Sequence, residues 1–171
     1  MSDFVRDKGP RLLGTRIRRL SETIDRAVGE IYRELDVRFE PRWAALLNLL
    51  TQEECVTVTT AASLLGQSHV AVVQTSNMLV KEKLVESAVD AEDRRKRNLR
   101  LTKSGRRLVK HLEPVWRAIA AESEALLSND APRLLEQIKL LENALAARPL
   151  ADRFRARLRM GPPKSGNKDK R

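Results

Sequence analysis

Arg94-Arg95-Lys96-Arg97 sets four cations in succession. Side chains that carry only donors and a fixed positive charge suit the binding of a polyanion. On DNA, Lys and Arg neutralise phosphates, and Arg suits a narrow minor groove, where negative potential is concentrated. Upstream, Ser68-His69 stands where a helix would begin, so backbone N–H groups there face any phosphate. Gln74 can bond adenine N6 and N7 bidentately, and Asn77, one turn on, can do the same or contact phosphate. His69 is read as a base or phosphate contact. Other chemistries lack their residues. His69, His111 and Cys55 are far apart and show no metal-ligand spacing. No Gly-rich phosphate loop and no Ser/His/Asp grouping is present. Neither an enzyme nor a metal or cofactor site is expected. Cys55 reads as a small core residue rather than a redox switch, and His111 as an ordinary helix residue.

Composition agrees with a basic, one-domain chain. The 171 residues are 42% hydrophobic and 33% charged, with a net charge of +10. Residues 1–21 carry six basic and two acidic groups, and 152–171 carry eight and two. Between them, 22–151 balance at 19 of each, but 81–117 hold 12 basic against 6 acidic groups and 22–80 hold 4 against 8. A basic block inside a folded region points to a polyanion more strongly than basic ends do. The arginines at 153, 155, 157 and 159 either track a DNA backbone or act as a solubility tail. A single cysteine excludes a disulfide framework. No apolar run reaches the roughly 18 residues of a membrane span, and the first thirty residues do not read as a signal peptide. A soluble, cytoplasmic protein with no membrane partner is expected.

The elements that must position these groups follow from spacing. Residues 1–11 read as irregular. Leu13, Ile17, Leu20, Ile24, Val28, Ile31 and Leu35 recur at steps of 4, 3, 4, 4, 3 and 4, the stripe of a long helix that needs a partner. Pro41 opens a second helix through Leu50. Val56-Thr57-Val58 is a short strand or linker, and Thr59 caps a helix that Gly66 stops. Ser68 caps the next helix, to about Glu82, with Val72, Thr75 or Ser76, and Leu79 inward. Leu84–Val89 and Asn98–Leu101 form a hairpin with the cationic run at its tip. Thr102 caps a long helix that Pro114 should kink or end near Glu113. A further helix begins near Asp130 and Pro132, and Pro149 ends regular structure.

Short helix, Gly turn, helix, strand, basic loop, strand is the order of a winged helix-turn-helix, whose second helix fits a DNA major groove. The fold class is therefore mainly α with a small β-hairpin wing, flanked by long N- and C-terminal helices. The expected division is 12–35 and 103–147 as a helical dimerisation region, 41–101 as the DNA-binding domain, and 148–171 as a basic, partly disordered tail. The competing reading is a helical protein-interaction module that uses the winged domain for protein contacts. Four adjacent cations count against it.

Leu84-Val85-Glu86, Asp90-Ala91-Glu92-Asp93-Arg94-Arg95 and Leu99-Arg100-Leu101-Thr102-Lys103-Ser104-Gly105 together resemble the wing signature of MarR-type transcription regulators. Members show Leu-Val-Glu-Arg, Asp-Pro-x-Asp-x-Arg and Leu-Thr-x-x-Gly at this spacing, and the resemblance covers roughly residues 10–147. It implies a bacterial, nucleoid-associated repressor whose terminal helices interlock into a homodimer on a pseudo-palindromic operator. It implies that Asp93 pairs with an Arg and shapes the wing, that Arg95 enters the minor groove, and that Arg94 and Lys96 bind phosphate. Members often bind small aromatic effectors in a crevice, which Tyr32, Phe39, Trp43 and Trp116 would line here. The chain departs from the pattern at Lys83, where a Gly usually closes the helix, at Ser87, where a basic residue is common, and at Val73-Gln74, which replaces a commoner Thr-Arg pair.

Overall fold

The computed structural model describes residues 3–89 and 96–159. Two compact units are distinguished, Met1–Ile119 and Ala120–Arg171. The division falls inside the expected 103–147 region rather than at its edge.

The first unit opens with a short helix where irregular chain was expected. Helix α1, Phe4–Asp7, forms because Asp3 accepts from the N–H groups of Val5 and Arg6, and a 3-10 turn, Gly9–Leu12, follows. The same carboxylate pairs with Arg19 at 2.5 Å. The Arg19 guanidinium, helped by the Arg6 N–H, holds the Asp3 carboxyl well below the usual carboxylate range. A depressed carboxyl adds stability above its ordinary titration range and loses it as pH falls through the folded value. Replacing Asp3 with Ala is therefore expected to abolish hydrogen-exchange protection at Val5 and Arg6 at neutral pH, whereas the native chain loses it only in strong acid.

Helix α2, Leu13–Glu34, carries the expected stripe. A 3-10 turn at Pro41–Trp43 leads into α3, Ala44–Gln52. Strand β1, Val56–Thr57, passes directly into α4, Val58–Leu65. The cap of α4 is Thr57, whose hydroxyl accepts from the Thr60 N–H at 3.0 Å, not Thr59 as expected. Burial of Val58 draws the helix start inward by two residues. Then come α5, His69–Lys81, strands β2, Val85–Val89, and β3, Arg97–Leu101, and the first part of α6, Lys103–Asp130. The sheet is antiparallel in the order β1-β3-β2, with Val56 and Ser87 both opposite Leu99.

The core gathers one ridge from each element: Leu46, Leu47 and Leu50 of α3, Ala61 and Ala62 of α4, Val72 and Leu79 of α5, Leu99 and Leu101 of β3, and Leu112 of α6. Each fully buried Leu or Val contributes about 1.5–3 kcal/mol. α6 also runs through Pro114 without ending there. Leu112 is fully buried, and Val115 and Trp116 pack on the same core, so tertiary contacts hold the helix on both sides of the missing N–H.

The second unit holds the end of α6, α7, Leu134–Ala147, and α8, Leu150–Arg159. α8 lies where tail was expected. The Pro149 carbonyl accepts from the N–H groups of Asp152 and Arg153. The Arg153 side chain donates to the carbonyls of Arg148 and Ala144 at 2.9 and 2.6 Å, capping the end of α7. Pro149 thus stands just ahead of a helix, where its missing donor costs nothing. The arginine is also spent on structure there, and Arg155 pairs with Asp152. Among the described residues, no helix is long and apolar enough to cross a membrane.

Candidate nucleic-acid interface

The helix-turn-helix is built from local rules. Gly66 takes φ 61°, and the bonds Gln67 N–H to Ala62 O and Gly66 N–H to Ser63 O close α4, the left-handed C-cap that glycine adopts without strain. Ser68 caps α5, its hydroxyl accepting from the Ala71 N–H at 3.2 Å. Val72, Thr75, Ser76 and Leu79 are all buried, as expected. Directly opposite lies an outward ridge of Val70, Gln74, Asn77 and Lys81, at steps of 4, 3 and 4, every member exposed. His69 and Ser68 are exposed at its N-terminal end. Four of the expected contact residues, Ser68, His69, Gln74 and Asn77, therefore stand on the uncovered part of one capped helix.

Sequence reasoning missed Val70, which is 64% exposed. The available signal was its spacing: it falls four residues before Gln74, on the face opposite Val72 and Leu79.

The end of α5 is fixed to the hairpin by a tight junction. Lys83 accepts the left-handed conformation, φ 59°, at a cost of about 1 kcal/mol relative to Gly. Its N–H bonds Val80 O, and the Leu84 N–H bonds Leu79 O. Buried Leu84 and Leu79 supply the hydrophobic contact of this cap. Thr102 locks the same point from the other side. Its N–H bonds Leu84 O at 3.0 Å, its hydroxyl donates to Lys83 O at 2.7 Å and accepts from the Gly105 N–H at 2.9 Å. The Leu-Thr-x-x-Gly stretch is thus a three-way clamp on the end of α5, the start of β2 and the start of α6.

The hairpin is pinned by the pairing of Glu86 with Arg100 at 2.5 Å, opposite each other in register. Lys96 and Arg97 are exposed where β3 begins. Asp93, Arg94 and Arg95 lie outside the described residues.

The four aromatic residues expected in an effector crevice form one cluster. Phe39 meets Tyr32 edge-on at 4.8 Å, Trp43 edge-on at 5.6 Å and Trp116 at 6.1 Å. The Trp116 indole N–H donates to the Tyr32 hydroxyl at 2.9 Å. Burial pushes the Tyr32 phenol up, and that bond partly opposes it. The Trp43 indole N–H is buried with no hydrogen-bond partner. Cys55 is not a core residue. It is exposed and lines an open cavity of about 550 Å³ with Leu50, Arg100, Arg106 and Val109. Glu54 and Glu86 line it too, Arg100 pairing with Glu86 and Arg106 donating to the Leu101 carbonyl.

No family model matches the sequence, and no curated protein does. The fold is similar to solved structures. A regulator of M. tuberculosis, MosR, crystallised in complex with DNA, is 22% identical with a TM-score of 0.68, over 81% of this chain and 98% of its own. A MarR family transcriptional regulator of Silicibacter pomeroyi is 26% identical with a TM-score of 0.59, over 84% and 99%. The PcaV regulator of Streptomyces coelicolor, crystallised with its natural ligand, is 19% identical with a TM-score of 0.60, over 86% and 99%. The described parts of the motif thus stand on a winged-helix fold similar to that of these regulators.

Proposed function

We propose that the protein is a sequence-specific, double-stranded DNA-binding transcriptional regulator. In this reading it acts as a repressor, binds a pseudo-palindromic operator as a homodimer, and is relieved by a small aromatic ligand. The observation that carries it is α5: one ridge is wholly buried, and the opposite ridge, Val70, Gln74, Asn77 and Lys81, is wholly exposed. Such a helix is rigidly held and presents amides and a cation outward, as major-groove reading requires. Similarity to a regulator solved on DNA supports the same reading. Its work would be in the bacterial cytoplasm, on the nucleoid.

Two further features support the finer parts. In the first unit, Leu13, Ile17, Leu20, Ile24 and Ile31 of α2 and Leu35, which ends it, are 40–54% exposed. In the second, Leu135, Ile138 and Leu141 of α7 are likewise exposed. Apolar stripes of this length on a monomer mark protein contacts, and a second copy would cover them, with 12–35 and 103–147 as the dimerisation region. The buried, unpartnered Trp43 N–H is a donor that a ligand's carboxylate or carbonyl would satisfy. PcaV, crystallised with its natural ligand, is a precedent for ligand binding on a similar fold.

The deciding experiment is fluorescence anisotropy on duplexes covering the DNA upstream of the protein's own gene. Affinity is expected to fall steeply with salt, as phosphate neutralisation requires. Absence of any duplex binding at low salt would reject the proposal. Within it, Arg95→Ala is expected to weaken binding about tenfold or more, with the homodimer intact by sedimentation. Unchanged affinity would remove Arg95 from the wing contacts.

A further inference from the structure

We infer that Val70 reads the 5-methyl group of a thymine in each half-site, an inference that rests on the DNA-binding reading above. A β-branched residue in an exposed helix position is otherwise unfavourable. It lowers helix propensity relative to Ala, and at 64% exposure Val70 gains little from the protein's own core. It stands at the N-terminal end of the outward ridge, on the face opposite Val72 and Leu79, both 0% exposed, so its methyl groups cannot turn inward without unwinding α5. It is the second residue of the helix, at the end that enters a major groove in this motif. Gln74 follows on the same ridge one turn later, a rise of about 6 Å, which spans roughly two base-pair steps.

In the major groove an apolar contact has one distinctive target. Thymine alone presents a methyl group, whereas the other base edges present donors and acceptors. An aliphatic side chain beside an amide reader therefore divides the work: Val70 takes a thymine methyl, and Gln74 takes an adenine within about two base pairs of it. A polar residue at position 70 would compete for hydrogen bonds with the base edge, and Val cannot. Val70 is thus a specificity determinant of this helix, set at its leading end.

The test uses the full-length protein and a duplex enriched from a random oligonucleotide pool by the protein itself. Each thymine of the enriched half-site is replaced in turn by deoxyuridine, which removes only the methyl group. One position per half-site is expected to lose about fourfold in affinity, the worth of one buried methyl(ene) group. In Val70→Ala, whose helix propensity is higher and whose fold is checked by circular dichroism, the deoxyuridine step should vanish. In Val70→Thr, which keeps one methyl group, it should persist in part. No deoxyuridine-sensitive position, or a sensitivity that survives Val70→Ala unchanged, would overturn the inference while leaving DNA binding in place. Failure to enrich any duplex would overturn the DNA-binding reading, and this inference with it.

Discussion

Gly105→Ala should unfold the chain several degrees earlier than any comparable glycine change. A Cβ at position 105 would lie 2.0 Å from the Leu84 carbonyl oxygen, 3.0 Å from its carbon and 3.2 Å from Leu101 Cδ2. The first two are backbone atoms, which cannot rotate away. Either the first turn of α6 lifts from β2, or Leu84 moves. Both routes distort the Thr102 clamp, because Thr102 bonds Leu84 O and Lys83 O and caps the Gly105 N–H at once. Overpacking of this kind costs about 3 kcal/mol or more, a fall in Tm of roughly 10 °C. Gly14 is the internal comparison. It is helical with nothing near its Cβ position, so Gly14→Ala should gain up to about 1 kcal/mol from helix propensity. Urea titrations of both variants decide it, and a Gly105→Ala change within 1 kcal/mol of the native chain would reject the clamp.

That junction shows what the sequence makes legible. Thr102 reads as a cap from its type and position alone, and the inward face of α5 follows from the spacing of Val72 and Leu79. α2 follows from its seven-member stripe. These are local or periodic signals, and helix formation obeys them when one face is buried. What stayed hidden depends on contacts made elsewhere in the fold. α1 exists because Asp3 both caps it and meets Arg19, sixteen residues away. α4 starts at Val58 because the core takes that side chain, although Thr59 has equally good capping chemistry. α6 survives Pro114 because Leu112 and Trp116 pack on either side of it, and propensity alone would end the helix. α8 was hidden because a proline stops a helix or precedes one, and only Arg153 reaching back to α7 distinguishes the two.

The interface was legible in a similar proportion. Capping chemistry picked out Ser68 and His69, the family resemblance picked out Gln74, and one helical turn from it added Asn77; all four are exposed. Val70 escaped because caps, amides and cations mark a contact by their polar groups, and an aliphatic side chain carries none. Lys83, read as a departure from the glycine pattern, turns out to keep the geometry that glycine would supply, with φ 59°. The end of α5 is therefore placed as in a chain with glycine there, with backbone strain as the difference. The departure bears on stability rather than on the angle at which the reading helix meets the hairpin.

Gln74→Ala should reduce affinity for the enriched duplex by about 1–3 kcal/mol in each half-site, so about 2–6 kcal/mol across a twofold site, with the loss concentrated at one base pair. The argument is one of position and rigidity. Gln74 is exposed on the ridge between Val70 and Asn77, and α5 beneath it is anchored by Val72, Ser76 and Leu79, so truncation removes a side chain without moving the helix. Alanine is the better helix former, and stability should hold or rise by a few tenths of a kcal/mol. The measurement is affinity at fixed salt for the enriched duplex and for each single base-pair variant of it. Gln74→Ala should then bind the native site and the variant at its own contact position equally, while still discriminating at the position read by Val70. A uniform loss across all duplexes would instead make Gln74 a phosphate contact. An unchanged affinity would mean that this ridge does not enter the groove at all, and that the specificity of the chain resides in another element.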